Sequence, residues 1–108
     1  MSESSRAILG PADLEEGEVR GYAVGTRRVL VARVGGRLKA MDDWCNHAGC
    51  SLSRGRLEGN TVVCPCHEIG FDLDSGKNVT SRGLSGDQPV YPLELFDGQL
   101  VLLGFPTE

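Results

Sequence analysis

The sequence predicts an all-β fold, a small antiparallel sandwich or barrel. Three short strand–turn–strand patterns support this prediction, and no segment has the periodicity of an amphipathic helix of three turns. The 15 glycines among 108 residues lie mostly at turn positions between apolar runs. A chain of this length has room for one core, so we expect a single domain spanning 1–108.

The clearest hairpin pattern lies in the first half of the chain. RVLVARV at 28–34 is rich in valine and leucine, as strands are. Gly35-Gly36 then suits a two-residue turn, and RLKAM at 37–41 forms the returning strand.

Two further patterns follow the same plan. RLE at 56–58 and TVVC at 61–64 flank Gly59-Asn60, while VYPLELF at 90–96 and QLVLLGF at 99–105 flank Asp97-Gly98. The segment PADLEEGE at 11–18 has the composition of a helical turn, although Gly17 limits its length.

Composition excludes several classes of function. The N-terminal residues carry no signal-peptide core and no later segment approaches ~20 apolar residues, so we expect a cytoplasmic protein without a membrane anchor. The net charge of −4 and the absence of a basic run argue against nucleic acid as a partner. The acidic balance suits docking onto a basic patch of another protein, or else it only aids solubility.

All four cysteines and both histidines fall in two short windows, CNHAGC at 45–50 and CPCHEIGF at 64–71. Neither window has the alternation of a strand. We therefore expect two loops, about 42–55 and 64–76, that project from one end of the sheet framework and hold a metal.

Two ligand sets are compatible with these windows. One takes Cys45-x-His47 and Cys64-x-x-His67, with sixteen residues between them. The other takes all four cysteines, but its C-x4-C and C-x-C spacing fits neither common ferredoxin pattern and leaves both histidines unused. Two thiolates and two imidazoles would also make a tetrahedral zinc set, which would give a structural module without a redox role.

The two windows resemble the two boxes of Rieske iron–sulfur proteins, C-x-H and C-x-x-H. The segments around them, from about Ala7 to Leu103, resemble the strand framework of that family. The resemblance implies a 2Fe–2S cluster in which Cys45 and Cys64 hold one iron and His47 and His67 the other. Because two thiolates are replaced by neutral imidazoles, such centres span roughly −150 to +300 mV, against about −400 mV for plant-type ferredoxins.

The resemblance also gives a role to the remaining cysteines. Cys50 and Cys66 occupy the positions at which quinol-oxidising Rieske proteins carry a disulfide between the two loops, so we hypothesise a Cys50–Cys66 disulfide. The alternative is a pair of thiols that pack as small apolar residues in a reducing cytosol.

The residues after His67 depart from the quinol-oxidising pattern. Those proteins have a glycine, a serine and, two residues after the serine, a tyrosine, where this chain has Glu68, Ile69 and Phe71. Serine and tyrosine hydroxyls donate hydrogen bonds to sulfur, which stabilise the reduced cluster, and Ile69 and Phe71 have no donor. Negative charge from Glu68, Asp42 and Asp43 acts in the same direction, but weakly if these residues are solvated, and we therefore predict a potential in the lower part of the Rieske range.

The resemblance implies a small Rieske ferredoxin, which carries single electrons from a flavin reductase to a terminal oxygenase and is not an enzyme by itself. The alternative within the family is the small subunit of a larger redox enzyme of the nitrite reductase or arsenite oxidase type.

Overall fold

The computed structural model describes residues 6–24, 27–43, 50–66, 68–79 and 88–103. These residues form one 3-10 helix, η1 (Leu52–Arg54), and ten strands. The strands are β1 (Arg6–Pro11), β2 (Val19–Val24), β3 (Arg27–Val34), β4 (Arg37–Asp42), β5 (Arg56–Glu58), β6 (Thr61–Val63), β7 (Gly70–Asp72), β8 (Val90–Tyr91), β9 (Leu93–Phe96) and β10 (Gln99–Leu103). None of the described residues forms a helix of the length and apolarity that a membrane crossing requires.

The strands pair only in antiparallel fashion, in three sheets with the orders β1-β10-β9, β2-β3-β4-β8 and β5-β6-β7. The predicted all-β antiparallel fold is therefore confirmed. The hairpins β3–β4, β5–β6 and β9–β10 turn at Gly35-Gly36, Gly59-Asn60 and Asp97-Gly98, as predicted. The glycines of these three turns have positive φ, which glycine adopts without steric cost.

Strand β3 lies between two hydrophobic cores. Val29 and Val31 belong to one core, together with Leu100 and Leu102 of β10. Their alternate neighbours Leu30 and Ala32 belong to the other core, with residues of β6 and β7. Because side chains alternate between the two faces of a strand, the four-stranded sheet lies between the other two sheets.

Two segments differ from the predicted pattern. VYPLELF forms two strands, because Pro92 has no N–H to donate to a ladder, and β8 pairs with β4 while β9 pairs with β10. The segment after Pro11 contains a turn and no helix. Its Glu18 N–H donates to the Glu15 carbonyl at 2.9 Å, and Gly17 has a φ of +85° that ends the turn.

The two segments expected as loops adjoin the core that contains Leu30 and Ala32. The first includes η1, in which Leu52 is fully buried. The second contains β7, which pairs with β6 through Val62 and Phe71, so part of it is a hairpin and not a loop. Both segments therefore pack on the same core.

Candidate metal centre

One of the four predicted ligands, Cys64, lies within the described residues. Cys45, His47 and His67 lie outside them.

Cys64 follows directly after β6 and begins a tight turn. Its N–H donates to the Ile69 carbonyl at 2.8 Å, and its own carbonyl accepts from the Glu68 N–H at 2.9 Å. These two bonds connect the end of β6 to Glu68 and Ile69, the residues just before β7. The Cys64 thiol is free and fully buried.

Cys50 and Cys66 are joined in a disulfide, the pairing that the family resemblance implied. Their Cα atoms are 6.5 Å apart, and the bond ties the end of the first segment to the turn of the second. Cys66 is exposed and Cys50 half-buried. The disulfide removes two of the four cysteines from the possible ligands, and it leaves Cys45 and Cys64 as the thiols available to a metal.

Ile69 and Phe71 belong to the same buried cluster as Cys64. Ile69 is 3% exposed and Phe71 is fully buried. Their side chains exclude water from this side of the Cys64 turn and offer no hydrogen-bond donor. The turn therefore provides an apolar wall next to the thiol.

Glu68 has left-handed backbone geometry, with a φ of +57°. Its exposed carboxylate accepts two hydrogen bonds from the Arg56 guanidinium, at 2.9 and 3.2 Å. This bidentate contact holds the pKa of the Glu68 carboxyl below its ordinary value. Arg56 also pairs with Glu58 at 2.8 Å, so it offsets only part of the negative charge of Glu68.

The two aspartates before the first window have different environments. Asp42 is half-buried, and burial raises the pKa of its carboxyl. The Arg27 guanidinium, whose Nη2 lies 3.9 Å from Asp42 Oδ1, acts in the opposite direction and does not cancel this rise. Asp43 is fully buried, and the Nε of Arg28 donates to it at 3.0 Å. The sequence predicts a weak effect of these charges if they are solvated, and Asp43 does not meet this condition because it is buried and paired with Arg28.

Sequence reasoning missed the residues that bind Asp43. Arg28 is part of a strand pattern that predicts a solvated arginine face, and Ser51 and Ser53 have no motif that links them to it. Ser51 Oγ donates to Asp43 Oδ2 at 2.6 Å and Ser53 N–H donates to Oδ1 at 2.7 Å. No local signal could have found them, because Arg28 and Asp43 are 15 positions apart and meet through sheet pairing.

The fold and this site define a small β protein in which two segments, linked by a disulfide, bring a buried thiol to one end of a sheet framework. The sequence model of the Rieske [2Fe-2S] domain family matches residues 5–92. The chain therefore belongs to the Rieske [2Fe-2S] domain family, and its cofactor is a 2Fe–2S cluster. A free buried thiol beside an apolar wall fits a thiolate ligand of such a cluster.

Relatives of similar length support this membership. The chain is 33% identical to the ferredoxin subunit of anthranilate 1,2-dioxygenase from Burkholderia cepacia, over 93% of this chain and 95% of the relative. It is 32% identical to the ferredoxin component of the naphthalene 1,2-dioxygenase/salicylate 5-hydroxylase systems of a Ralstonia species, over 83% and 86% of the two chains. These relatives are electron-transfer components and not catalytic enzymes.

Solved structures show the same fold. A chain in the complex of reduced oxygenase and oxidized ferredoxin of carbazole 1,9a-dioxygenase superposes with a TM-score of 0.82 at 28% identity, over 95% of this chain and 96% of that one. A ferredoxin of Sphingomonas yanoikuyae B1 superposes with a TM-score of 0.83 at 23% identity, over 94% and 100% of the two chains.

Proposed function

We propose that this protein is a Rieske ferredoxin that carries single electrons between a reductase and a terminal oxygenase. The observation that carries the proposal is its full-length similarity to ferredoxin components of dioxygenase systems. The chain covers 86% of the Ralstonia relative and 95% of the Burkholderia cepacia relative. We propose that residues 1–108 form one Rieske domain.

The proposed ligands are Cys45 and Cys64 for one iron and His47 and His67 for the other. The Cys50–Cys66 disulfide supports this choice, because a cysteine in a disulfide has no thiolate to offer. The family match argues against the zinc module, since the family is defined by a 2Fe–2S cluster.

The cluster, when bound, takes up and releases one electron at a time. The chain tunes this exchange through the groups around it. The apolar wall of Ile69 and Phe71 excludes water and gives the sulfur atoms no side-chain donor, and both effects disfavour the added negative charge. We therefore propose a potential in the lower part of the Rieske range.

The partners proposed are a flavin reductase and a terminal oxygenase. Cys66 and Glu68, on either side of His67 in the sequence, are both exposed, which supports access of a partner protein to this turn. The net charge of −4 suits a basic docking surface on the partner. A cytoplasmic location is part of the proposal, and cell fractionation would test it.

The disulfide supports a second candidate, the small subunit of a larger redox enzyme. The resemblance described above gives such a disulfide to the quinol-oxidising Rieske proteins, which are parts of larger redox complexes. The missing hydrogen-bond donors favour the ferredoxin, because a donor acts directly on the charge of the cluster while a disulfide constrains geometry.

Redox titration of the purified protein, with electron paramagnetic resonance at two pH values, tests the proposal. We expect a rhombic signal on reduction, with a low midpoint that is insensitive to pH near neutrality. A high and pH-dependent midpoint would favour the enzyme subunit, because imidazole protonation would then be coupled to reduction. A colourless protein that contains zinc would end the electron-carrier proposal.

A further inference from the structure

Asp43 is a fully buried carboxylate that accepts hydrogen bonds from two separate parts of the chain. Arg28 Nε of β3 donates to Oδ2 at 3.0 Å. Ser51 Oγ donates to the same oxygen at 2.6 Å, and Ser53 donates to the carboxylate through its N–H at 2.7 Å and its Oγ at 3.3 Å. A buried charge with this number of donors is fixed in one orientation.

The main chain of Asp43 is also bonded both to Arg28 and to the segment that contains η1. Its N–H donates to the Arg28 carbonyl at 3.1 Å, and its carbonyl accepts from the Leu52 N–H at 2.6 Å. Asp43 therefore joins the end of the β3–β4 hairpin to the segment that contains η1. In the sequence, residues 44–50 lie between these two tied ends, and this stretch contains Cys45 and His47.

The neighbouring strand leaves space for these contacts. A Cβ added to Gly21 of β2 would lie 2.6 Å from Ser53 Oγ and 2.7 Å from the Nη2 of Arg28. Gly21 has no left-handed φ, so its backbone does not require glycine. The absent side chain is explained by the room that Ser53 and Arg28 need beside Asp43.

We propose that Arg28, Asp43, Ser51 and Ser53 form a clasp, with Gly21 as its floor, that ties Asp43 to the segment of Ser51 and Ser53 and so positions the first pair of cluster ligands, Cys45 and His47, which lie between the two in the sequence. The proposal rests on the ligand set proposed above. It makes Asp43 and Arg28 positioning residues, because they act on the cluster through Cys45 and His47. Tying together the two ends of a short stretch of chain reduces its conformational freedom, which lowers the entropy that cluster binding has to remove.

A matched control separates positioning from general stability. Asp72 is also a turn-organising carboxylate, since it accepts from the N–H of Asp74 and from the N–H and Oγ of Ser75. It lies opposite Thr61, at the end of the β6–β7 hairpin away from Cys64. Asp72→Asn should lower stability without reaching the ligands.

The experiment compares Asp43→Asn, Gly21→Ala and Asp72→Asn in the cluster-loaded protein. The rate of bleaching of visible absorption with a ferrous-iron chelator is measured beside the unfolding temperature and the resonance spectrum of the reduced state. We expect Asp43→Asn and Gly21→Ala to lose the cluster about ten-fold faster than the parent and to broaden the spectrum. Asp43→Asn removes the charge that the donors bind, and the added Cβ of Gly21→Ala would displace Ser53 Oγ and Arg28 Nη2. Asp72→Asn should bleach within about two-fold of the parent.

The clasp is overturned if Asp43→Asn bleaches no faster than Asp72→Asn at an equal fall in unfolding temperature. Gly21→Ala keeps every charge, so it decides the question if Asp43→Asn does not fold. Amide hydrogen exchange of Ser53 in cluster-free protein gives a readout that needs no cluster. Faster exchange of the Ser53 amide in Gly21→Ala than in the parent supports the clasp, and unchanged exchange overturns it. A parent protein that shows no resonance signal on reduction counts against the proposed function and not against the clasp.

Discussion

Ile69 and Phe71 are the residues through which this chain departs most clearly from the quinol-oxidising pattern. Both are buried with Cys64, and neither side chain has a donor. Glu68, the residue before them, has left-handed backbone geometry, and its carboxylate pairs with Arg56. We expect side-chain donors at positions 69 and 71 to affect the potential more than this exposed charge does.

We predict that Ile69→Ser raises the midpoint potential. A hydroxyl that donates to a cluster sulfur stabilises the reduced state, and a bond to a charged group contributes ~1.5–3 kcal/mol in total. Because only the difference between the two oxidation states counts, and ~100 mV corresponds to 2.3 kcal/mol per electron, we expect a rise on the order of 50 mV. Redox titration measures it.

Ile69→Val is the matched control, since it shortens the side chain without adding a donor. Its midpoint should stay close to that of the parent. If Ile69→Val shifts the potential as far as Ile69→Ser, solvent access and not hydrogen bonding sets the potential at this position.

At the scale of elements, the disulfide links the end of the first cluster segment to the β6–β7 turn. The two cysteines are 16 positions apart, and closing a loop of this size restricts the unfolded chain by ~3 kcal/mol. We predict that the double variant Cys50→Ser/Cys66→Ser has a lower free energy of unfolding by about this amount. Urea unfolding followed by circular dichroism gives the value.

The parent protein unfolded in the presence of a reductant provides the control. Its transition should move to that of the double variant, because both lack the cross-link. A parent whose transition is unaffected by the reductant, and equal to that of the variant, would contradict a stabilising disulfide.

The β3–β4 turn is capped by an exposed carboxylate from a distant part of the chain. Glu16 accepts hydrogen bonds from the N–H groups of Gly35 and Gly36 at 2.6 and 2.9 Å. These bonds lower the pKa of the Glu16 carboxyl below 4.5, its ordinary value. The ionised form therefore stabilises the fold above about pH 4.5, and this contribution is lost as the pH falls through the lower, folded-state pKa.

We predict that Glu16→Gln unfolds at a lower temperature than the parent at pH 7, and that the difference shrinks as the pH falls below the ordinary pKa of Glu16. Thermal unfolding of the parent and the variant, at pH 7 and at a pH below 4.5, measures this difference. Glu15→Gln serves as control, because the Glu15 side chain accepts no hydrogen bond from the described residues. A difference for Glu16→Gln that is the same at both pH values would show that its charge plays no part.

At the scale of the whole molecule, the fold separates two cores on opposite faces of the four-stranded sheet. The core that contains Leu30, Leu52 and Phe71 also contains Cys64. The other core, around Leu100 and Leu102, contains none of the cluster ligands among the described residues. Damage to the two cores should therefore have different effects on the cluster.

We predict that Leu52→Ala and Leu100→Ala each lower the free energy of unfolding by ~2–5 kcal/mol, because both leucines are fully buried. Only Leu52→Ala should also speed the loss of the cluster below the unfolding transition. Circular dichroism and visible absorption, recorded on the same samples, measure the two effects. Equal cluster loss in both variants would mean that the cluster depends on overall stability alone.

The hairpins could be predicted from sequence because they are local. Strand runs such as 28–34 and turn pairs such as Gly35-Gly36 carry their signals within a few residues. The ligand windows could be predicted for the same reason. The pairing of β8 with β4 and of β9 with β10 could not, since a run of apolar residues does not specify its partner strand.

The sequence by itself determined the class of fold, the two Cys/His windows and the family to which they belong. The tertiary structure alone decided that Glu68 is paired with Arg56 and that Asp43 is buried against Arg28, Ser51 and Ser53. The physical reason is the separation along the chain of the residues that interact. Turn and ligand signals depend on residues close in the chain, whereas the environment of a charge depends on groups that only folding brings together.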